Sequence, residues 1–168
     1  MKIAILHYHL KPGGVTTVIR HQVEALQKSC SLLVLSGTPP GSPWPVPCKA
    51  ISGIGYHNDL TPLIDPQKVA QEIHRTIRAE WEGGCDLLHV HNPLLAKNRA
   101  MLEILKVLQA RGVRLFLQIH DFAEDGRPPV YFQESYPGDC HYGVINSRDH
   151  KILLAAGLKP EGLHMVPS

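Results

Sequence analysis

The step from the apolar run Lys2-Ile3-Ala4-Ile5-Leu6-His7 into Pro12-Gly13-Gly14-Val15-Thr16-Thr17 is the strongest constraint on what this chain can fold into. An apolar run followed within a few residues by paired glycines and a helical pattern predicts a buried first strand that turns into a helix. Val15, Val18, Ile19, Val23 and Leu26 recur at helical spacing through about Lys28, and Ser31 to Leu35 predicts a second strand. That pattern suits a right-handed βαβ unit. Two glycines at the turn let backbone N–H groups approach a ligand closely, and the helix aims its partially positive end at the same spot, a geometry suited to phosphate. The turn is neither G-x-G-x-x-G nor G-x-x-x-x-G-K-[ST], however, and a tight strand-to-helix turn accounts for the glycines equally well.

The remaining chain keeps alternating. Ser36 to Pro47 is too rich in proline and glycine for a helix interior or a central strand and reads as a loop, with Trp44 packing on the domain rather than stacking on a ligand. Lys49 to Ile54 predicts a third, poorer strand, and Tyr56 to Asp65 is irregular. Pro66 opens a helix capped by Asp65, with Val69, Ile73 and Ile77 as its buried stripe towards Trp81 and Glu82-Gly83-Gly84 as its end. Asp86 to His91 predicts a fourth strand, Leu94 to Ala110 a long helix, and Val113 to Ile119 a fifth strand that is apolar on both faces. The segment from Asp121 to Cys140 is too long for a plain connector and predicts a functional or mobile loop. Tyr142 to Ile145 predicts a sixth strand, Asn146-Ser147 starts a helix that runs to Ala156, and Leu163 to Val166 predicts a last strand before a linker-like Pro167-Ser168. The expectation is an α/β fold in one domain, residues 1–168, with a doubly wound, mostly parallel, Rossmann-like sheet of strand order 3-2-1-4-5-6.

Composition removes several function classes. A chain of 168 residues with 43% hydrophobic and 19% charged residues is an ordinary globular composition, and a formal charge of +2 supplies no field for nucleic acid. The four cysteines show no C-x-x-C spacing, which favours reduced thiols over a disulfide framework or zinc ribbon. No stretch approaches the length of a membrane span, so the expectation is a soluble, cytoplasmic protein.

Histidine is the outlier, with eleven in the chain. His7 and His9 fall at the end of strand one, His89 and His91 at the end of strand four, and His120 with Asp121 at the end of strand five. In the expected strand order these ends are neighbours across the topological switch point, so the imidazoles border one crevice. There they can contact a sugar or phosphate, with Asp121, Asn92 and Gly13-Gly14 completing the rim. A metal site is a second reading, with His89-x-His91 closed by His7, His120 or Asp121. Half-buried hydrogen bonding at strand ends is the third.

Five stretches in order, Lys11-Pro12-Gly13-Gly14-Val15, Asp86-Leu87-Leu88-His89-Val90-His91-Asn92-Pro93, Gln118-Ile119-His120-Asp121, Val144-Ile145-Asn146-Ser147-Arg148 and Gly157-Leu158 through Val166-Pro167, carry a resemblance over nearly the whole chain. It resembles the N-terminal half of a retaining, two-Rossmann-domain (GT-B) glycosyltransferase of family 4. The resemblance implies that Gly13 and Gly14 lie beside the donor diphosphate and the acceptor, that His120 lines the catalytic centre near the donor sugar with Asp121, and that Asn92, His91 and Ser147 contribute to donor or acceptor binding. His89 takes a supporting place. It implies a nucleotide-sugar donor as substrate, a sugar or lipid-linked acceptor, and no metal or other cofactor. It also implies a C-terminal donor-binding domain, in cis or as a separate subunit, without which the isolated chain is inactive. Lipid-linked acceptors leave membrane contact open, but the helix from Leu94 to Arg111 reads as core-packed, with Lys97, Arg99, Lys106 and Arg111 on a solvated edge. The alternatives are a free-standing sugar- or nucleotide-binding module without turnover and a His-rich metal-binding α/β domain.

Overall fold

In the computed structural model, which describes residues 1–121, 132 and 135–166, the chain runs through β1 (Lys2–His7), α1 (Gly14–Leu26), β2 (Ser31–Ser36), β3 (Cys48–Ala50), α2 (Pro66–Glu80), β4 (Leu87–His91), α3 (Met101–Ala110), β5 (Leu115–Ile119), β6 (His141–Val144), α4 (Ser147–Ala155) and β7 (Leu163–Met165). The strands form one parallel sheet in the order β3-β2-β1-β4-β5-β6-β7, the expected arrangement extended by one strand. β1 is buried from Ile3 to His7 because it has neighbours on both sides, pairing Ile3 with Leu32 of β2 and with Leu87 of β4. The strand order reverses between β1 and β4, and there the loops at the carboxyl ends part to leave a crevice.

Alternation along the strands separates two cores. Ile3 and Ile5 of β1 join Leu32 and Val34 of β2 against Ile19 and Val23 of α1. Ala4 and Leu6, with Leu88, Val90, Leu115 and Leu117, face the other way onto Val69, Ile73 and Ile77 of α2 and the apolar side of α3. Full burial of each such aliphatic side chain contributes about 1.5–3 kcal/mol, so the two faces fix the register tightly. Asp65 caps α2 by accepting from the Gln67 amide at 2.9 Å, with Pro66 in the first turn, and Asn146 caps α4 by accepting from the Asp149 amide at 2.9 Å. All four thiols are free, and among the described residues no helix is long and apolar enough to cross a membrane.

Two elements differ from the sequence reading in ways that matter for the site. The long helix expected from Leu94 starts only at Met101. The cause is Asn98, fully buried, whose side-chain amide donates to the carbonyls of Gly53 and Gly55, both at 2.8 Å, while its oxygen accepts from the Ala100 amide at 3.1 Å. Bound that way, residues 92–100 turn instead of coiling, and Lys97 and Arg99 leave the helix edge on which the sequence had placed them. The expected third strand stops at Ala50, and Ser52–Ile54 forms a 3₁₀ turn in which Gly53 lies so close to Val69 that a Cβ would meet it at 2.5 Å. Smaller shifts of one or two residues occur at the ends of β2, β4, β5, β6, β7, α1 and α4. Most of the segment expected to be a long loop, 122–131 and 133–134, and Pro167-Ser168 lie outside the described residues.

Candidate functional site

The crevice is built from the exits of β1, β4 and β5. Tyr8, immediately after β1, is buried, and its hydroxyl donates to the carbonyls of Asn92 at 3.1 Å and Leu95 at 3.0 Å, tying the exit of β4 to that of β1. Asn92 follows β4 with φ 55°, a left-handed conformation that asparagine tolerates better than most residues. That backbone turn lets its side chain do two things at once. Oδ1 accepts from the His120 amide at 3.3 Å, and Nδ2 donates to Asp121 Oδ2 at 3.2 Å. Its own amide donates to the Gln118 carbonyl at 2.8 Å, continuing the β4–β5 ladder to its last rung. Asn92 therefore holds His120 and Asp121 in place.

The imidazoles form a packed row beneath this rim. His91, fully buried, places Nδ1 at 3.0 Å from Nε2 of His120, with the two rings stacked. His89 stacks on His91 with ring centroids 4.4 Å apart, and its Nε2 lies 2.9 Å from Gln118 Oε1, which also accepts from Gln22 of α1 at 2.9 Å. His7 lies on the other side, with Nδ1 at 3.3 Å from the His91 carbonyl. Burial governs their chemistry. It pushes His7 and His89 down to about 4 from 6.5, and takes His91 well below 6.5 with further help from the neighbouring His89, His120 and His7. His120 is lowered by burial, opposed by the Asp121 carboxylate, and His9 is lowered by burial and by the ammonium groups of Lys11 and Lys97. At neutral pH the row is a set of uncharged donors and acceptors.

A cavity of about 230 Å³ opens above the row, between α1 and the β4 exit, lined among others by His9, Gly14, Thr16, Tyr56, Asn92, Lys97 and Asp121. α1 enters it without a side-chain cap, because its N-cap is Gly13 and the Thr16 hydroxyl donates away to the Lys11 carbonyl at 2.7 Å. Helix-terminal N–H groups left so are acceptor-seeking. Tyr56 packs against Tyr8 and His9, with ring centroids 5.1 and 5.0 Å away, and carries Lys97 Nζ 4.9 Å above its own ring. A larger groove of about 770 Å³ lies at the opposite, amino ends of the strands, near Met1, Asp86 and Arg114, away from all of these groups.

Of the residues singled out in the sequence, Gly14, Asn92 and Asp121 line this cavity and Gly13 caps the helix beside it. His120 borders it through Asn92 and His91, whereas His91 is sealed beneath. Ser147 is the exposed first residue of α4, at the exit of β6, and does not line the cavity. Among the described residues no group of three or more His, Cys, Asp or Glu side chains is arranged to hold a metal ion, and the rings of His89 and His91 lie face to face instead of converging. The sequence reading set Lys97 on a solvated helix edge and gave Tyr56 and Asn98 no part in the site. An aromatic and a lysine in two irregular stretches 41 positions apart give no periodic signal, although an asparagine interrupting an otherwise helical stretch is a recognisable one.

No protein-family model matches the chain. Among curated proteins it is similar to mannosylglucosyl-3-phosphoglycerate synthase of Petrotoga mobilis, 27% identical over 191 aligned residues that cover 98% of this chain and 36% of that protein. The chain thus spans about a third of the length of the curated relative it matches. Among solved structures, apo UGT2 of Phytolacca americana superposes with a TM-score of 0.39 and 13% identity over 73% of this chain and 30% of that one, too distant a match to argue from.

Proposed function

We propose that this chain forms the acceptor-side wall of a glycosyltransferase cleft, in a protein that moves a sugar from a nucleotide-sugar donor to an acceptor hydroxyl with retention at the anomeric carbon. The observation that carries the reading is the Asn92 bridge, which holds His120 beside Asp121, itself in the wall of a cavity that the uncapped start of α1 shares. Similarity to a synthase whose name describes a mannosylglucosyl conjugate adds independent support. In this reading His120, neutral at the pH of the cell, hydrogen-bonds a donor-sugar hydroxyl, and Asp121 accepts from the attacking hydroxyl of the acceptor. The Gly13-Gly14 turn separates the departing diphosphate from the acceptor and offers N–H groups to both. Charge that develops on the leaving diphosphate is stabilised by such preorganised donors. The opposite wall, which grips the nucleotide, comes from a further domain or a partner subunit, because transfer needs both substrates held in one closed cleft. No metal or other cofactor is part of the proposal.

The test is transfer from labelled nucleotide sugars by the full native polypeptide, with any subunit that co-purifies. Transfer that falls at least a hundredfold in His120→Ala, with an unchanged circular dichroism spectrum, is the expected result. Undiminished transfer by that variant, or binding of nucleotide sugars with no turnover towards any acceptor, overturns the reading and leaves a binding module.

A further inference from the structure

The cavity beside α1 has an electrostatic character that sugar transfer alone does not require. Its lining contains one carboxylate, Asp121, and that group is tied to Asn92 on the β4 side. The side facing it supplies several donors. Lys97 extends over Tyr56 and, like Lys11 nearby, forms no ion pair among the described residues. His9 Nδ1 accepts the Lys11 amide at 3.3 Å, which puts the ring's proton on Nε2 and makes that nitrogen a donor. The first-turn amides of α1 complete the group with no side-chain acceptor. Three kinds of donor from three separate segments, β1 exit, α1 and the 92–100 turn, thus meet in a space of about 230 Å³. Pockets for drug-sized ligands run to roughly 300–1,000 Å³, so this one takes a small molecule or one end of a larger one.

The geometry points to an anionic acceptor: a small hydroxyl compound bearing a phosphate or carboxylate that Lys97, His9 and the start of α1 hold, leaving its hydroxyl towards Asp121 and His120. The inference rests on the proposed transferase function for the word acceptor, but the anion site stands on the cavity itself. A single phosphate at hydrogen-bond distance from a helix start and an ammonium group gains charge-assisted bonds that a neutral sugar cannot. The ordering device is Tyr56. Its ring restrains the Lys97 chain and packs on His9, so that the ammonium group and the neutral imidazole donor are held on the same aromatic ring before any ligand arrives.

Binding can be read without turnover, by following backbone amide shifts of the ¹⁵N-labelled 168-residue chain while glycerol 3-phosphate, glycerate, glycerol or UDP is added. Saturable shifts at Gly14, Val15 and Tyr56 with glycerol 3-phosphate or glycerate, and none with glycerol, are expected, and whichever anion binds more tightly identifies the group recognised. Lys97→Met should weaken that binding at least tenfold, while Lys49→Met, on exposed β3 far from the cavity, should leave it unchanged. Equal response to glycerol, silence of these amides towards both anions, or wild-type affinity in Lys97→Met overturns the inference. So does UDP saturating the same amides tenfold more tightly than either anion, since the pocket would then serve the donor. If the full protein transfers sugar to neutral acceptors while these amides stay silent, the function stands and the anionic acceptor falls. If the anions bind and no transfer is found, the reverse holds.

Discussion

His91 Nδ1 lies 3.0 Å from His120 Nε2 while His91 Nε2, fully buried, has no partner among the described residues. That asymmetry fixes where the protons are. Burial keeps His91 neutral, so it carries one N–H, and an orphaned buried N–H is rarer and costlier than an orphaned lone pair. The proton belongs on Nδ1 and is donated to His120, whose own proton then sits on Nδ1 as a donor to the crevice. ¹⁵N spectra of the imidazoles at neutral pH should show His120 as the Nδ1–H tautomer, and His91→Phe should turn it into a mixture. A wild-type His120 in the Nε2–H form would refute the assignment.

Burial of His7 and His89 also sets how stability depends on pH. Both rings titrate near 6.5 when unfolded and at about 4 when folded. The unfolded chain therefore binds protons first as pH falls, and their contribution, complete above 6.5, is lost between 6.5 and about 4. Each ring accounts for about 2 kcal/mol between pH 7 and pH 5, and the pair for a melting temperature lower by roughly 10 °C. His89→Phe should flatten the dependence over that interval. A melting temperature constant from pH 7 to pH 5 in the wild type would remove the argument.

How far the sequence could be read depends on where each structural decision is made. β1, β4 and β5 are decided locally, by apolar runs long enough to need cover on both faces, and the glycines at 13–14 mark the turn that follows β1. Strand ends then bring His7, His91, Asn92 and His120 together by topology alone. Residues 94–100 are decided elsewhere. Their composition favours helix, and bonds to distant residues keep them out of one: Asn98 to Gly53 and Gly55, 43 to 45 positions away, with Tyr8 on the Leu95 carbonyl and His57 on Lys97 and Arg99. Because that turn carries Lys97 to Tyr56, the cationic half of the cavity is invisible to any reading confined to local pattern. Ser147, at the start of α4 beyond the exit of β6, stands apart from this cavity, so order along the chain and nearness to the cavity are separate matters.

At Asn92 the backbone and the side chain make separable contributions. Asn92→Gly keeps the φ of 55° at no steric cost and loses only the bonds to His120 and Asp121, whereas Asn92→Ala loses the bonds and strains the backbone as well. Urea denaturation should therefore find the alanine variant less stable than the glycine variant by about 1 kcal/mol. An alanine variant equal to or more stable than glycine would mean that the turn relaxes out of the left-handed region. Both variants should perturb the Asp121 amide.

Asn98 tests whether the fold and the cavity share one support. Replacing it by leucine leaves the Gly53 and Gly55 carbonyls and the Ala100 amide without their buried partner, at a cost of about 2–4 kcal/mol for the set. The sheet does not depend on these bonds, so the core should persist, with its far-ultraviolet spectrum unchanged and its melting temperature reduced. What should be lost selectively is the position of Lys97, because the 92–100 turn then loses its anchor on residues 53–55 and keeps its weaker hold through His57 and Tyr8. The measurable consequence is anion binding weakened as much as by Lys97→Met, in a protein that still unfolds cooperatively. Binding retained at wild-type strength in Asn98→Leu would show that the His57–Lys97 backbone bond and Tyr56 suffice to place the lysine.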